Sequence, residues 1–197
     1  MNHLMIDLET LGNKPDSVIL SIGAVKFDLE GNIDDNGFYA STDIESNLDL
    51  GRRVDEDTML WWLKQPAAAQ QVFHEEKMHL TAALESLSDW MEDDRWIVWA
   101  KGPSFDIAML EHAYARSAKM ETPWKFWNSR CVRTYMGLPG AKGVEAPVEG
   151  VKHNALSDAS QQAKTSQMIR RKLFLDAAPV SSMVKTKTAA KTAAKAK

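Results

Sequence analysis

The sequence predicts an α/β domain with a mixed β-sheet, and three features of the residue pattern support this class. The first quarter of the chain contains short apolar runs that alternate with polar residues, as strands do. From residue 55 onward the apolar residues instead recur at helical spacing, and one strand-like run, WIVWA at 96–100, interrupts them. Strands followed by alternating helices and strands are typical of a layered domain whose sheet is mixed.

The first quarter is predicted to be an antiparallel meander of three strands. These strands cover residues 3–9 (HLMIDLE), 18–27 and 37–42, and each is rich in apolar or β-branched residues. The sequence LEGN at 29–32 supplies a turn between the second and third strands.

The helical segments share an apolar stripe or a start signal, and they are predicted at residues 55–65, 67–73, 80–93, 105–118 and 155–175. Pro103 and Ser104 precede the fourth of them, and a proline with a capping hydroxyl is a usual helix start. The stretch at 137–150 is rich in Gly and Pro and is predicted to be a loop.

The composition is that of one globular domain. The chain has 197 residues, of which 44% are hydrophobic and 26% charged, and its net charge of -3 points to no particular partner. Residues 1–177 are therefore predicted to form the domain. The last thirteen residues carry five lysines and no acid, so 178–197 is predicted to be a flexible Lys/Ala-rich tail, with phosphate attraction as a hypothesis for its lysines.

The sequence predicts a cytoplasmic protein without a membrane anchor. A single cysteine, Cys131, excludes an internal disulfide and fits a reducing compartment. No apolar run approaches the roughly 20 residues that span a bilayer, and the amino terminus contains acids from position 7.

Two carboxylates, Asp7 and Glu9, stand in the first predicted strand. A period of two places both on one face, while Leu4, Ile6 and Leu8 lie on the other, as expected of a central strand covered on both sides. Two like charges on a half-buried face repel each other and are costly to desolvate, so they need a cation or a shared proton. A hard divalent metal ion is the simplest remedy.

Three further candidates stand at predicted helix starts: Asp106 in GPSFDIAML, and His153 with Asp158 in HNALSD. Because helix starts favour anions, capping or first-turn stabilisation is the alternative reading of each aspartate taken alone. The combination of a strand-borne DxE, an FD at one helix and an HxxxxD at another is much harder to obtain by chance.

With these motifs, residues 3–175 resemble the DEDDh exonucleases, the proofreading (DnaQ-like) branch of the ribonuclease-H-like superfamily. The resemblance implies a ribonuclease-H-like fold, a mixed five-stranded sheet flanked by helices. The GPSFD variant and the Trp61-Trp62 pair are most similar to small stand-alone exonucleases of phage and bacterial type.

The resemblance also implies a role for each motif residue. Two Mg²⁺ ions, which Mn²⁺ can replace, would be bound by Asp7, Glu9, Asp106 and Asp158, and His153 would be the general base. The terminal nucleotide would be contacted by Thr10, Leu11, Gly12 and Phe105. The family often has asparagine four residues before the second aspartate, whereas this chain has Gly102, so contacts to the departing nucleotide should differ.

The leading hypothesis is a metal-dependent 3′-to-5′ exonuclease that releases nucleoside 5′-monophosphates from single-stranded nucleic acid 3′ ends, with DNA slightly favoured over RNA. Two metal ions roughly 3.5 to 4 Å apart suit phosphodiester hydrolysis, and a histidine with a pKa of about 6.5 suits a general base. The alternatives are an exoribonuclease, a ribonuclease-H-type endonuclease, which would not need His153, and a non-catalytic nucleic-acid-binding or polymerase-associated module. The oligomeric state stays open, a homodimer included.

Two other clusters have both a functional and a structural interpretation. Trp61 and Trp62 face different directions on a helix, so at most one can stack on a base, and core packing is the alternative. The basic residues Arg170, Arg171 and Lys172 either contact phosphates or form a solvated helix face.

Overall fold

The computed structural model of the protein describes residues 1–176. The predicted tail at 178–197 lies outside the described residues. Among residues 1–176, no helix combines the length and the apolar character needed to cross a lipid bilayer.

The described part of the chain contains a five-stranded mixed sheet with the order β3-β2-β1-β4-β5. Its strands are β1 (His3–Thr10), β2 (Ile19–Phe27), β3 (Phe38–Ser41), β4 (Ile97–Ala100) and β5 (Ser129–Cys131). Strands β1, β2 and β3 form the predicted antiparallel meander. Strand β4 runs parallel to β1, and β5 runs parallel to β4. The mixed five-stranded sheet is confirmed.

The helices of the described chain are α1 (Ile44–Asp49), α2 (Glu56–Trp62), α3 (Ala67–Gln70), α4 (Leu80–Met91), α5 (Asp106–His112), α6 (Val132–Met136) and α7 (Ala155–Arg170). A short 3₁₀ turn follows α3 at Gln71–Phe73, and another precedes β5 at Phe126–Asn128. Helices α5 and α7 each continue into a π-helical turn, at Ala113–Ala118 and Arg171–Leu175. The predicted helices therefore exist, with ends shifted by a few residues.

One predicted start signal was wrong. Helix α5 begins at Asp106 with Phe105 at the N-cap position, and no side chain caps its first turn. The N–H groups of Phe105 and Asp106 instead donate to the carbonyl of Gly102, at 2.7 and 3.3 Å. A backbone turn thus replaces the predicted capping hydroxyl of Ser104, and Gly102 adopts a φ of 132° within it.

Strand β1 is the central strand and is covered on both faces, as its residue pattern predicts. Leu4, Ile6 and Leu8 are buried in one cluster with the apolar stripe of α4. Met5 is buried on the other face, in a cluster with the small residues of α7. Burial of each large apolar side chain stabilises the fold by about 1.5–3 kcal/mol, so β1 is firmly held.

Helix α7 approaches the sheet closely because β2 has a glycine beneath it. Gly23 is the cross-strand partner of Asp7. A Cβ at Gly23 would lie 2.2 Å from the carbonyl carbon of Ala155 and 2.2 Å from the nitrogen of Leu156. The missing side chain therefore lets the first turn of α7 rest on the strand, directly beside the acidic end of β1.

The carboxyl end of β1 extends beyond its parallel neighbour. The pairing of β1 with β4 covers His3 to Met5, whereas Asp7 and Glu9 lie further along β1. Beyond β4 the chain turns at 101–105 and enters α5. This arrangement leaves an opening at one edge of the sheet, next to the two carboxylates and the start of α5.

Candidate active site

The acidic site is built from three separate elements that meet at this edge. Strand β1 supplies Asp7 and Glu9, and α5 supplies Asp106 as its first residue. The Oδ1 atom of Asp106 accepts a hydrogen bond of 3.2 Å from the backbone N–H of Leu8. Asp106 therefore bonds to β1 at the residue between Asp7 and Glu9. Its interpretation as a simple helix-start residue does not predict this contact.

The last motif brings His153 and Asp158 to the same edge. One ring nitrogen of His153, one carboxylate oxygen of Asp158 and one of Glu9 all lie within 4.8 Å of one another. Residues 1–176 contain one such group of potential metal ligands. His153 has a φ of 63°, and its backbone N–H donates to Oδ2 of Asp158 at 3.1 Å. The N-cap of α7 is Asn154, whose side chain accepts from the N–H of Ser157. Asp158 thus stabilises the conformation of the loop that contains His153, and Asn154 caps α7.

The electrostatics of the site are those of crowded, buried carboxylates. Burial raises the pKa of Asp7 well above its usual value, and Asp106 and Glu9 raise it further. Burial, followed by the charges of Asp158 and Asp106, raises the pKa of Glu9 to about 8. Burial also raises the pKa of Asp106 to about 7 and that of Asp158 above its usual range. Without a cation, the described residues therefore favour the protonated forms of these carboxyl groups.

The imidazole of His153 lies against the paired tryptophans of α2. Its centroid is 5.0 Å from the ring of Trp61 in an edge-to-face arrangement and 6.3 Å from that of Trp62. Burial lowers the pKa of His153 below 6.5, although the charge of Asp158 opposes this shift. His153 is therefore held beside the carboxylates largely in its neutral form at neutral pH.

The two tryptophans have different environments, as adjacent helical positions should. Trp62 is buried, and its Nε1 donates to the carbonyl of Thr10 at 2.8 Å, so it belongs to the core and supports the end of β1. Trp61 is 40% exposed and borders the site through His153. Core packing of Trp62 is thus confirmed, while base stacking by Trp61 stays a prediction.

The turn that follows β1 is tightly constrained. The Oγ1 of Thr10 donates to the carbonyl of Gly12 at 2.8 Å, and the N–H of Leu11 donates to the carbonyl of Val18 at 2.9 Å. A Cβ at Gly12 would lie 2.4 Å from Oγ of Ser17. The Leu11 N–H is thus already paired within the chain. The predicted contact of Thr10, Leu11 and Gly12 with a terminal nucleotide stays a prediction.

Two side chains near the acids were missed by the sequence analysis. The Nε2 of Gln162 donates to Oδ1 of Asp7 at 2.6 Å. The Nη1 of Arg133 lies 3.2 Å from the place that a Cβ of Gly102 would take, and its charge lowers the pKa of Asp106. Gln162 follows Asp158 by four positions, so the helical period predicts that both lie on the same face of α7. Arg133 lies near the site because it follows β5, which pairs with β4, and the sequence alone does not predict that pairing.

Phe105 and Arg170, two residues with a possible role in substrate binding, both have contacts within the protein. Phe105 is partly buried against the main core cluster, beside Asp106. Arg170 bonds to Oε1 of Glu30 at 2.6 Å, and its guanidinium carbon lies 4.8 Å from the ring centroid of Phe174. These contacts support the solvated-face interpretation of the basic cluster.

Comparison with solved structures identifies the architecture. Exonuclease I from Methylocaldum szegediense has a TM-score of 0.62 at 14% identity, and the match covers 87% of this chain and 41% of that one. A zinc-bound complex of E. coli Exonuclease I with single-stranded DNA has a TM-score of 0.66 at 12% identity, with the same coverage of 87% and 41%. The complex of the E. coli enzyme with a dT13 oligonucleotide has a TM-score of 0.59 at 13% identity, again covering 87% and 41%. The chain thus spans about two fifths of these structures, and the likeness establishes the fold.

The family match and the shared fold together identify a DEDDh-type 3′–5′ exonuclease domain. The family model described as the Rv2179c-like 3′–5′ exoribonuclease domain matches residues 2–170. The chain belongs to this family. No curated protein matches it significantly by sequence.

Proposed function

We propose that the protein is a metal-dependent 3′-to-5′ exonuclease that releases nucleoside 5′-monophosphates from single-stranded nucleic acid. The observation that carries the proposal is the meeting of Glu9, His153 and Asp158 within 4.8 Å, beside the half-buried Asp7 and the buried Asp106. Sequence-distant acids with raised pKa values at one sheet edge are more typical of a catalytic site than of a structural one.

A pair of divalent cations fits this donor set. Carboxylate oxygens are the preferred ligands of Mg²⁺, and the raised pKa values of Asp7, Glu9 and Asp106 indicate negative charge that a cation would compensate. The ions, Mg²⁺ or Mn²⁺, would be held by Asp7, Glu9, Asp106 and Asp158. When bound, such a pair activates a water molecule and stabilises a leaving oxygen.

His153 supplies the proton acceptor in this proposal. One of its nitrogens lies within 4.8 Å of carboxylate oxygens of Glu9 and Asp158, so it can accept a proton from a water in the site. Its lowered pKa keeps the imidazole neutral, and therefore able to accept, at pH 7. The Trp61 ring restricts the imidazole to one side of the site, which favours a single orientation.

Cations at the rim of the site would attract the substrate backbone. Lys101 follows β4 directly and lies near Asp158, whose pKa it lowers together with Lys152. Arg133 lies beside the turn that leads to Asp106. Phosphate groups are bound mainly through such Lys and Arg side chains, so these residues support a nucleic acid substrate despite the negative net charge.

The preference for DNA or RNA as the substrate has to be decided by experiment. The family description names an exoribonuclease, whereas the E. coli Exonuclease I structures contain DNA strands. A protein distinguishes RNA from DNA through contacts to the 2′-hydroxyl group. Both nucleic acids are therefore candidate substrates.

The test is a cleavage assay with matched DNA and RNA oligonucleotides labelled at the 5′ end, single- and double-stranded, with Mg²⁺, Mn²⁺ or chelator. We expect products that shorten one nucleotide at a time from the 3′ end, only with metal and with free single strands. Asp7→Asn is the matched inactive variant, since it keeps the side-chain volume. Internal cuts would favour the endonuclease alternative, and metal-dependent binding without cleavage would favour a non-catalytic module.

A further inference from the structure

Gln162 is a buried amide that contacts the acidic site but belongs to none of the predicted motifs. It lies on α7, four residues after Asp158, and only 5% of its surface is exposed. Its Nε2 donates to Oδ1 of Asp7 at 2.6 Å. This is the single hydrogen bond to the Asp7 carboxylate from the residues that the structure describes.

The other end of the same amide is unsatisfied. Oε1 of Gln162 is buried without a hydrogen-bond partner, a condition that only one other side-chain atom of the described chain, Oγ of Ser21, shares. A buried unpaired carbonyl lowers the free energy of unfolding, and an apolar side chain of similar size would avoid that cost. The amide is therefore poorly explained as a contribution to stability.

A neutral donor is well suited to the environment of Asp7. Lysine or arginine at position 162 would place a positive charge against Asp7 and compete with a metal ion for it. A carboxylate there would add one more negative charge to a cluster in which Asp106 and Glu9 already raise the pKa of Asp7. An amide fixes the orientation of the carboxylate without changing the charge of the site.

We propose that Gln162 is a positioning residue, which holds the Asp7 carboxylate in the orientation that binds metal. The proposal rests on the metal site of the proposed function. In metal sites the partners that hydrogen-bond to ligands orient those ligands, and their loss typically lowers metal affinity or activity by about 10–100-fold. Gln162 fits that description for Asp7.

The decisive variant is Gln162→Met, which keeps the length of the side chain and removes the amide. Gln161→Met is the matched control, because the neighbouring Gln161 donates to the carbonyl of Ala146 at 2.9 Å and does not bond to the site acids. The measurements are the Mn²⁺ affinity by calorimetry, the melting temperature without metal, and kcat and KM on a single-stranded oligonucleotide.

We expect Gln162→Met to weaken Mn²⁺ binding by about 10-fold or more, with the metal-free melting temperature equal to or above that of wild type. The kcat should fall while KM for the oligonucleotide stays constant. Gln161→Met should match wild type in Mn²⁺ affinity, kcat and KM, and its melting temperature can fall because it loses the bond to Ala146. Gln162→Asn provides a second test, because its amide is one methylene too short to reach Asp7, and it should lose Mn²⁺ affinity similarly.

Wild-type Mn²⁺ affinity in either folded Gln162 variant would overturn the proposal. If the wild type binds Mn²⁺ but hydrolyses no oligonucleotide, and Gln162→Met still weakens binding, the positioning role stands and the proposed nuclease function fails. If the wild type hydrolyses substrate and Gln162→Met changes nothing, the positioning role alone fails.

Discussion

Leu8 donates its backbone N–H to the carboxylate of Asp106 at 3.2 Å, across 98 positions of sequence. Leu8 stands between Asp7 and Glu9 in β1, so this bond sets the start of α5 against the two strand carboxylates. The Leu8 N–H thus joins the motif that contains Asp106 to the motif that contains Asp7 and Glu9.

Asp106→Asn should abolish cleavage while the fold persists. The asparagine carbonyl can still accept the Leu8 N–H, but the buried negative charge is lost. We expect the single-turnover rate to fall by at least about 100-fold and the metal-free melting temperature at pH 8 to stay constant or rise. A melting temperature several degrees lower would instead assign Asp106 a structural role.

Metal-free stability should decrease as the pH rises. The pKa of Glu9 is about 8 in the folded protein, whereas its ordinary value, taken for the unfolded chain, is 4.5. Between these two values folding is accompanied by the binding of a proton to Glu9. The stabilisation that this proton provides is lost as the pH rises from about 4.5 to 8. Each 1 kcal/mol lost lowers the melting temperature by about 2–4 °C in a chain of this size. Melting curves with chelator between pH 5 and pH 9 measure the slope.

Millimolar Mg²⁺ should reverse that decrease at pH 8, since an ion bound only by the folded state stabilises it. The charge-neutral variant Glu9→Gln should have a flatter metal-free profile and a smaller Mg²⁺ response. Identical profiles for Glu9→Gln and wild type would contradict the assigned pKa.

His153→Asn should lower the single-turnover rate by about 10²- to 10⁴-fold. Asparagine is the informative substitution because it tolerates the left-handed backbone at φ 63°, where alanine would be strained. The wild-type rate should rise with pH through a midpoint below 6.5, given the lowered pKa of His153, and this limb should vanish in the variant. An unchanged acidic limb would place the base elsewhere.

Arg133→Gln should weaken substrate binding mainly at low salt. Loss of one phosphate contact reduces the slope of log affinity against log salt by about 0.7 on single strands. Titration of a fluorescent oligonucleotide into the Asp7→Asn protein measures that slope without cleavage. Arg116→Gln is the control, because Arg116 is also exposed but lies at the far end of the helical segment that starts at Asp106. Equal slopes in both variants would exclude Arg133 from the binding surface.

Gly23→Ala should disrupt the site through packing. Its new methyl group would occupy space now filled by the backbone of Ala155 and Leu156, so α7 must move away from β2. We expect a loss of about 1–3 kcal/mol in the free energy of unfolding and a larger proportional loss of activity. Chemical denaturation and the cleavage assay test both, and a neutral result would show that α7 can shift without cost to the site.

Much of this architecture is local in origin and therefore predictable from sequence. The period of two in β1 correctly assigns Leu4, Ile6 and Leu8 to the core and Asp7 and Glu9 to the opposite face. The segments α1, β5 and α6 are three to six residues long, too short for a period to emerge. Their existence depends on docking against neighbours, which a single sequence does not report.

The contacts that refine the site are tertiary and were not predictable in the same way. The Gln162 bond to Asp7 joins α7 to β1, and the packing of Trp61 on His153 joins α2 to the loop before α7. No spacing rule links such positions. Of the site, the sequence shows the chemistry of the motif residues, which are acids and a histidine at element ends, and the helix face that Gln162 shares with Asp158.

The bond between Gln162 and Asp7 spans 155 positions, so the two ends of the domain must meet before the site is complete. A nascent chain emerging from the ribosome displays Asp7, Glu9 and Asp106 long before His153 and Asp158 are synthesised. Such a chain lacks the proposed base and one proposed ligand. Under the proposed function, nuclease activity therefore requires the chain through Gln162, and a product that ends before His153 should be inactive.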